Sequence, residues 1–129
     1  MLGTQETILR LIIAAAAGSV IGFERERLRW AAGLRTHMLV CLGAGLTMMV
    51  SMFGFEDVLG HHGIVLDPSR VAAQVVSGIG FLGAGTILFL RDKVIRGLTT
   101  AASLWTVAGI GLAAGGGVYV AAVGAAAVA

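Results

Sequence analysis

Residues 71–90 read VAAQVVSGIGFLGAGTILFL, and this stretch decides the class of fold. It has no charged residue, and its four glycines are Gly78, Gly80, Gly83 and Gly85. A helix of this length reaches ~30 Å, about the thickness of the hydrocarbon core of a bilayer. Glycine weakens a helix in water by ~1 kcal/mol relative to alanine, but in lipid it lets helix backbones approach closely. The stretch therefore predicts a central helix of a membrane bundle, contacted from two sides.

The rest of the chain has the same character. Of its 129 residues, 57% are hydrophobic and 12% are charged, against roughly 25% charged residues in ordinary soluble domains. Five apolar segments cover residues 7–23, 36–55, 71–90, 98–114 and 118–129. The last segment is too short to span a bilayer. We expect an all-α polytopic transmembrane bundle, a single domain over residues 1–129, with four full helices and a partial fifth that is truncated from a longer protein.

Basic residues concentrate in two loops, residues 24–35 and 91–97. These loops hold seven of the nine Lys and Arg residues: Arg25, Arg27, Arg29, Arg35, Arg91, Lys93 and Arg96. Cytoplasmic loops of membrane proteins carry an excess of such residues. The pattern therefore predicts that both basic loops are cytoplasmic, and that the N-terminus and the loop containing His61 and His62 lie outside.

The run GIGFLGAG at residues 78–85 contains G-x-G-x-x-G. A dinucleotide site needs this run to open a helix after a strand, and here it lies inside an uncharged segment, so that interpretation is rejected. Two interpretations remain, close helix packing and a broken helix whose backbone lines a polar cavity. Small residues also repeat every four positions in the first two segments, as Ala14, Gly18 and Gly22 and as Gly43, Thr47 and Ser51.

Charged residues mark the ends of the predicted spans. Glu24 lies at the inner membrane edge beside Arg25, and Arg35 and Thr36 open the second segment. A carboxylate at that depth must be hydrated or paired. It could form an interfacial ion-pair cluster with Arg35, or it could contact a cation or a partner protein. We expect Glu24 and Arg35 to meet across the turn and to be functionally coupled.

At the opposite edge, Asp67 is a suitable N-cap and Pro68 a suitable first helical residue, with Arg70 at the outer membrane edge. His61 and His62 lack further ligands beyond Asp67, so we predict neither a metal site nor a cofactor.

A hydroxyl stripe formed by Thr99, Ser103 and Thr106 is expected to bond to another helix or to its own backbone carbonyls. No nucleophile–base–acid set is apparent, so an enzyme is not expected. The basic residues are scattered along a membrane face, and this favours membrane lipid over nucleic acid as a partner.

Several blocks of sequence occur in an order that resembles one known family. The blocks are Gly18 with IGFERE at 21–26, AGLRTH at 32–37, Asp67 with Ser69 and Arg70, GIGFLGAG at 78–85, and GLTTAASLW at 97–105. Together they resemble the MgtC/SapB family of bacterial inner-membrane proteins, over about residues 18–111. The resemblance implies a multi-helix inner-membrane domain, with links to growth at low magnesium, survival inside phagocytes and modulation of the proton-translocating ATP synthase.

Longer members of that family carry a cytoplasmic C-terminal domain that resembles regulatory domains, whereas this sequence stops at Ala129. We expect a non-enzymatic regulator linked to magnesium or acid-stress homeostasis, acting through contacts with a second copy or another membrane protein. The alternative is a channel or transporter for a divalent cation such as Mg²⁺. A transporter needs a continuous polar path, whereas a regulator needs an exposed groove of small residues.

Overall fold

The computed structural model describes residues 2–89 and 95–129. Its helices are α1 (Thr4–Arg27), α2 (Leu34–Phe53), α3 (Pro68–Thr86), α4 (Leu98–Gly115) and α5 (Tyr119–Val128). A single 3₁₀ turn, Glu56–Val58, follows α2, and the two-residue strands β1 (Leu88–Phe89) and β2 (Ile95–Arg96) pair antiparallel. The predicted all-α bundle with a short fifth helix is confirmed.

Within the described residues, three helices, α1, α2 and α4, are long and apolar enough to cross a membrane, so the chain is a membrane protein. Helix α3 has 19 residues and reaches about 28 Å, but Arg70, Gln74 and its glycines make it less apolar. The prediction of an unbroken segment to residue 90 is wrong, because α3 ends at Thr86 and β1 follows. Leu90, Arg91 and Lys93 lie outside the described residues.

The core of the bundle is the contact between α1, α2 and α4, and glycines make that contact possible. A Cβ atom on Gly18 of α1 would lie 2.7 Å from the Cβ of Cys41. A Cβ on Gly111 of α4 would overlap the carbonyl oxygen of Cys41, and one on Gly115 would overlap that of Gly45. The backbone of α4 therefore lies directly against the backbone of α2, as small residues allow between membrane helices.

Helix α3 packs with one side only, against α4 and α2. A Cβ on Gly83 would lie 3.4 Å from the Cβ of Ala101, whereas Cβ atoms on Gly78, Gly80 and Gly85 would meet nothing within 4 Å. The expectation that α3 is contacted from two sides is therefore wrong within the chain. The close approaches belong to α2 and α4, and α3 lies on the outside of that pair. The helix is continuous from Pro68 to Thr86, so it is not a broken helix.

Candidate functional site

The described residues of both basic loops lie at one end of the bundle, which we call the basic end. It comprises the C-terminus of α1, the N-termini of α2 and α4, and the described residues that adjoin them. Arg29 and Trp30 from the first loop line one cavity together with Arg96 and Gly97 from the second. Helix α1 stops because the amide of Arg29 donates to Glu26 O (3.0 Å) and that of Trp30 to Arg25 O (3.1 Å). This is the Schellman pattern that closes a helix C-terminus.

A carboxylate joins the end of α1 to the start of α2, but it is not the one predicted. The Leu34 amide donates to Glu26 Oε2 at 2.8 Å, and a negative charge at a helix N-terminus is favourable. Glu24 and Arg35 are both exposed, and the structure does not bring them together. The expectation of a Glu24–Arg35 pair is wrong in its geometry, because Glu26 is the residue whose position on α1 faces the α2 N-terminus.

Arg25 is held in place at the basic end by two kinds of contact. Its guanidinium carbon lies 4.4 Å from the centroid of the Trp30 ring, a cation–π geometry. Its Nη2 donates to the carbonyl oxygen of Ala129 at 2.8 Å. Its Nε is buried and has no hydrogen-bond partner among residues 2–89 and 95–129.

Thr36, beside Arg35 on α2, is exposed.

A histidine connects α2 to α4 inside the bundle. His37 is 0% exposed; its Nδ1 lies 2.9 Å from Gly33 O and its Nε2 lies 2.7 Å from Ser103 Oγ. A carbonyl oxygen only accepts, so Nδ1 carries a proton, and in the neutral ring Nε2 then accepts from the serine hydroxyl. This contact, the His37–Ser103 bond, is one that the sequence analysis did not identify.

The predicted hydroxyl stripe is divided between two uses. Ser103 bonds across to His37. Thr106 donates back to Ala102 O on its own helix at 3.0 Å. Thr99 is exposed in the first turn of α4. Both predicted alternatives therefore occur, a hydrogen bond to another helix at Ser103 and one to the helix's own backbone at Thr106.

The start of α3 follows its prediction. Asp67 accepts from the Ser69 hydroxyl at 2.6 Å and from the Ser69 amide at 3.0 Å, and Pro68 is the first helical residue. These two hydrogen bonds, the hydroxyl first, lower the pKa of the Asp67 carboxyl from its ordinary value. Arg70 is exposed one turn further along. Asp67 and Arg70 thus lie at the end of the bundle opposite the basic end.

A polar cluster at that opposite end joins residues far apart in sequence. Arg10 Nε donates to Glu6 Oε1 at 2.9 Å, and Arg10 Nη1 donates to Gly115 O at 2.7 Å. The Tyr119 hydroxyl donates to the same Glu6 oxygen. The guanidinium thus satisfies a carbonyl at the C-terminus of α4. Sequence reasoning missed this cluster, because Arg10 and Gly115 are 105 positions apart.

An apolar depression of about 390 Å³ lies between α2 and α3, and we call it the α2–α3 groove. Its lining includes Leu39, Gly43, Thr47, Val75, Gly78 and Leu82. Cβ atoms on Gly43 and Gly78 would meet nothing within 4 Å. Thr47 donates to Gly43 O at 2.9 Å, so its hydroxyl is satisfied within α2. The groove therefore presents glycine backbone and aliphatic side chains.

The described part of the chain contains no group of three His, Cys, Asp or Glu side chains placed to hold a metal ion. His61 and His62 are exposed in the connection between α2 and α3.

Comparison with known proteins gives one family and a set of relatives. The model of the MgtC family matches residues 11–129. The protein named "Putative magnesium transporter YhiD" from Escherichia coli K12 is 54% identical over 116 residues, which cover 90% of this chain and 54% of that protein. Protein SapB of Bacillus subtilis is 41% identical, covering 88% of this chain and 49% of SapB.

Protein MgtC of Salmonella typhimurium LT2 is 46% identical over 113 residues, which cover 87% of this chain and 44% of that protein. The chain thus spans about half the length of the curated relatives it matches. No solved structure gives a significant match.

Proposed function

The chain belongs to the MgtC family, and from that premise we propose that it is a non-enzymatic regulator in the bacterial inner membrane. It serves magnesium homeostasis, or adaptation to low magnesium or acid stress, by binding other membrane helices. The observation that carries the proposal is the α2–α3 groove. Its occupant is a helix from a second copy or from another membrane protein. The proton-translocating ATP synthase is the candidate that the family resemblance implies.

The groove fits a helix for a physical reason. Two transmembrane helices gain little from burying apolar surface that lipid already covers, so close van der Waals contact must stabilise their association. Gly43 and Gly78 leave room for such contact, since no atom of the described chain fills the space above them. Leu39 and Leu82, which are 55% and 51% exposed, flank the opening. A helix with small residues of its own can therefore lie along it.

Filling the groove tests the proposal. Gly43→Leu and Gly78→Leu are expected to abolish association, because a leucine at either position occupies the space of the partner without meeting this chain. The measurement is cross-linking in membranes followed by mass spectrometry, which separates a second copy from another protein. Growth at low magnesium provides the functional readout, for a host in which the protein supports that growth.

The matched control is Gly109→Leu on α4. Gly109 is exposed and a Cβ there also meets nothing within 4 Å, but it does not line the groove. Association that survives both groove variants, with protein levels equal to wild type, would overturn the proposal.

A magnesium channel or transporter is the second candidate, and the printed name of the Escherichia coli relative is what favours it. The packing of α4 against α2 opposes an ion path between these helices, because the backbone at Gly111 and Gly115 is in direct contact with the backbone of α2. Liposomes containing the full-length protein, with and without a magnesium gradient, distinguish the two candidates. Protein-dependent magnesium flux would favour the transporter.

The orientation we propose places the basic end in the cytoplasm and the N-terminus outside. Arg29 of the first basic loop and Arg96 of the second lie at the same end of the bundle. This supports the positive-inside assignment, because one membrane face must hold both residues.

A further inference from the structure

A second cavity, of about 480 Å³, opens at the basic end, and we call it the α4 cavity. It lies between the loop that follows α1, the end of α3 and the start of α4. Its polar lining residues are Arg29, Trp30, Thr86, Arg96, Thr99 and Thr100. None of these residues lines the α2–α3 groove, so this cavity is independent of the proposed function.

The N-terminus of an 18-residue helix opens into the α4 cavity. Gly97 is the N-cap of α4, and it supplies no side-chain oxygen to the amides of the first turn. Its φ of 91° is a left-handed conformation that favours glycine, and a Cβ atom at this position would overlap the carbonyl oxygen of Thr86. The first amides of a helix have no partner within the helix, and they carry a partial positive charge that favours anions.

A largely buried threonine reaches the same cavity. Thr100 is 5% exposed and lines the cavity. Its hydroxyl has no hydrogen-bond partner within residues 2–89 and 95–129. The hydroxyl oxygen is not among the fully buried side-chain atoms without a partner, so it is accessible from the cavity. A ligand oxygen at the start of α4 would satisfy it.

Two guanidinium groups flank the opening. Arg29 and Arg96 are both exposed and both line the cavity, and its described lining contains no carboxylate. Arg29 has a φ of 55°, the left-handed conformation that favours glycine. An arginine at this position presents its charge to the cavity although glycine would suit the backbone better.

We propose that the α4 cavity binds a phosphate group. A phosphate offers several anionic oxygens, which can accept at once from two guanidinium groups, the Thr100 hydroxyl and the first amides of α4. Two kinds of ligand present a phosphate group at a membrane surface: an anionic phospholipid, through its head group, and free inorganic phosphate. Trp30 at the cavity mouth suits a position at the lipid interface.

The test uses the full chain, purified in a neutral detergent with chloride buffer, and measures its melting temperature. One arm adds phosphatidylglycerol, and its control is zwitterionic phosphatidylcholine. The other arm adds inorganic phosphate, and its control is chloride at equal ionic strength. We expect one of the two ligands to raise the melting temperature. A response to phosphatidylglycerol alone assigns the phosphate to a lipid, and a response to inorganic phosphate assigns it to the free ion.

Matched variants distinguish a built site from general attraction between charges. Arg96→Gln is expected to weaken the apparent affinity about tenfold or more, the value of a hydrogen bond to a charged group. Arg35→Gln changes the net charge equally at the same end of the bundle, but Arg35 does not line the cavity. The apparent affinity of this variant for the ligand should therefore stay at the wild-type value.

Two further variants guard against loss of folding. Thr100→Val keeps the size of the side chain and removes the hydroxyl. Arg29→Gly removes a guanidinium while relieving the left-handed backbone, so its unliganded stability should not fall. A wild-type chain that responds to neither ligand overturns the proposal. It is equally overturned if all three cavity variants keep wild-type affinity, or if Arg35→Gln loses as much affinity as Arg96→Gln.

Discussion

At the scale of single residues, the bundle depends on a few polar side chains that cross between helices. Ser103 and His37 connect α4 to α2 in the interior, and Glu26 connects the end of α1 to the start of α2. Polar groups inside a membrane bundle must find partners in the protein, because lipid offers none. Each of these contacts therefore ties a helix to one register against its neighbour.

The His37–Ser103 bond is expected to contribute measurably to stability. Ser103→Ala leaves the buried Nε2 of His37 without a partner, which costs about 1–3 kcal/mol. The measurement is the midpoint of unfolding in detergent, which should fall. Thr106→Ala is the control on the same helix, since it removes a hydroxyl bonded only to Ala102 O. Equal midpoints for the two variants would show that the bond between helices contributes nothing.

At the scale of the elements, the membrane helices differ in how they use glycine. Gly18 and Gly22 of α1, and Gly111 and Gly115 of α4, lie so close to neighbouring atoms of α2 that no Cβ fits. Gly78 on α3 faces open space. Glycine at the first kind of position brings two helices of this chain together, whereas glycine at the second leaves a surface free.

This difference predicts opposite responses to alanine on one helix. Gly111→Ala places a methyl group against the Cys41 carbonyl oxygen and forces α4 away from α2, with a cost of about 1–3 kcal/mol or more. Gly109→Ala is two residues away and meets nothing within 4 Å. It should be neutral or slightly stabilising, because alanine favours a helix. Thermal unfolding in detergent compares them, and equal melting temperatures would contradict the packing of α4 against α2.

At the scale of the whole molecule, the two ends of the bundle differ in charge. The basic end gathers Arg25, Arg29 and Arg96 around the start of α4. The other end holds the Glu6–Arg10–Tyr119 cluster. We propose that this asymmetry sets the orientation in the inner membrane, because Lys and Arg are retained on the cytoplasmic face.

The orientation can be measured with single cysteines. After Cys41→Ala, cysteines replace Arg29 or His61, both of which are exposed. An impermeant thiol reagent applied to intact spheroplasts should label position 61 and spare position 29, and permeabilisation should expose both. Labelling of position 29 but not 61 in intact spheroplasts would invert the proposed topology.

Features that depend on local composition and spacing could be predicted from the amino-acid sequence. The apolar segments predicted the membrane helices α1, α2 and α4, and Asp67 followed by Pro68 predicted the start of α3. The distribution of Arg and Lys predicted that the two basic loops share one end. These properties can be read from the chain because hydropathy, helix capping and loop charge depend on neighbours a few residues away.

Which face of each helix meets which neighbour could not be predicted from the sequence. On α2 the stripe through His37, Cys41 and Gly45 packs inward. Of the predicted stripe, Gly43 and Thr47 line the open α2–α3 groove, whereas Ser51 is buried. Both stripes repeat every four residues, so spacing alone cannot separate them. That choice depends on atoms of α1 and α4 that are distant in sequence, and only the folded bundle brings them together.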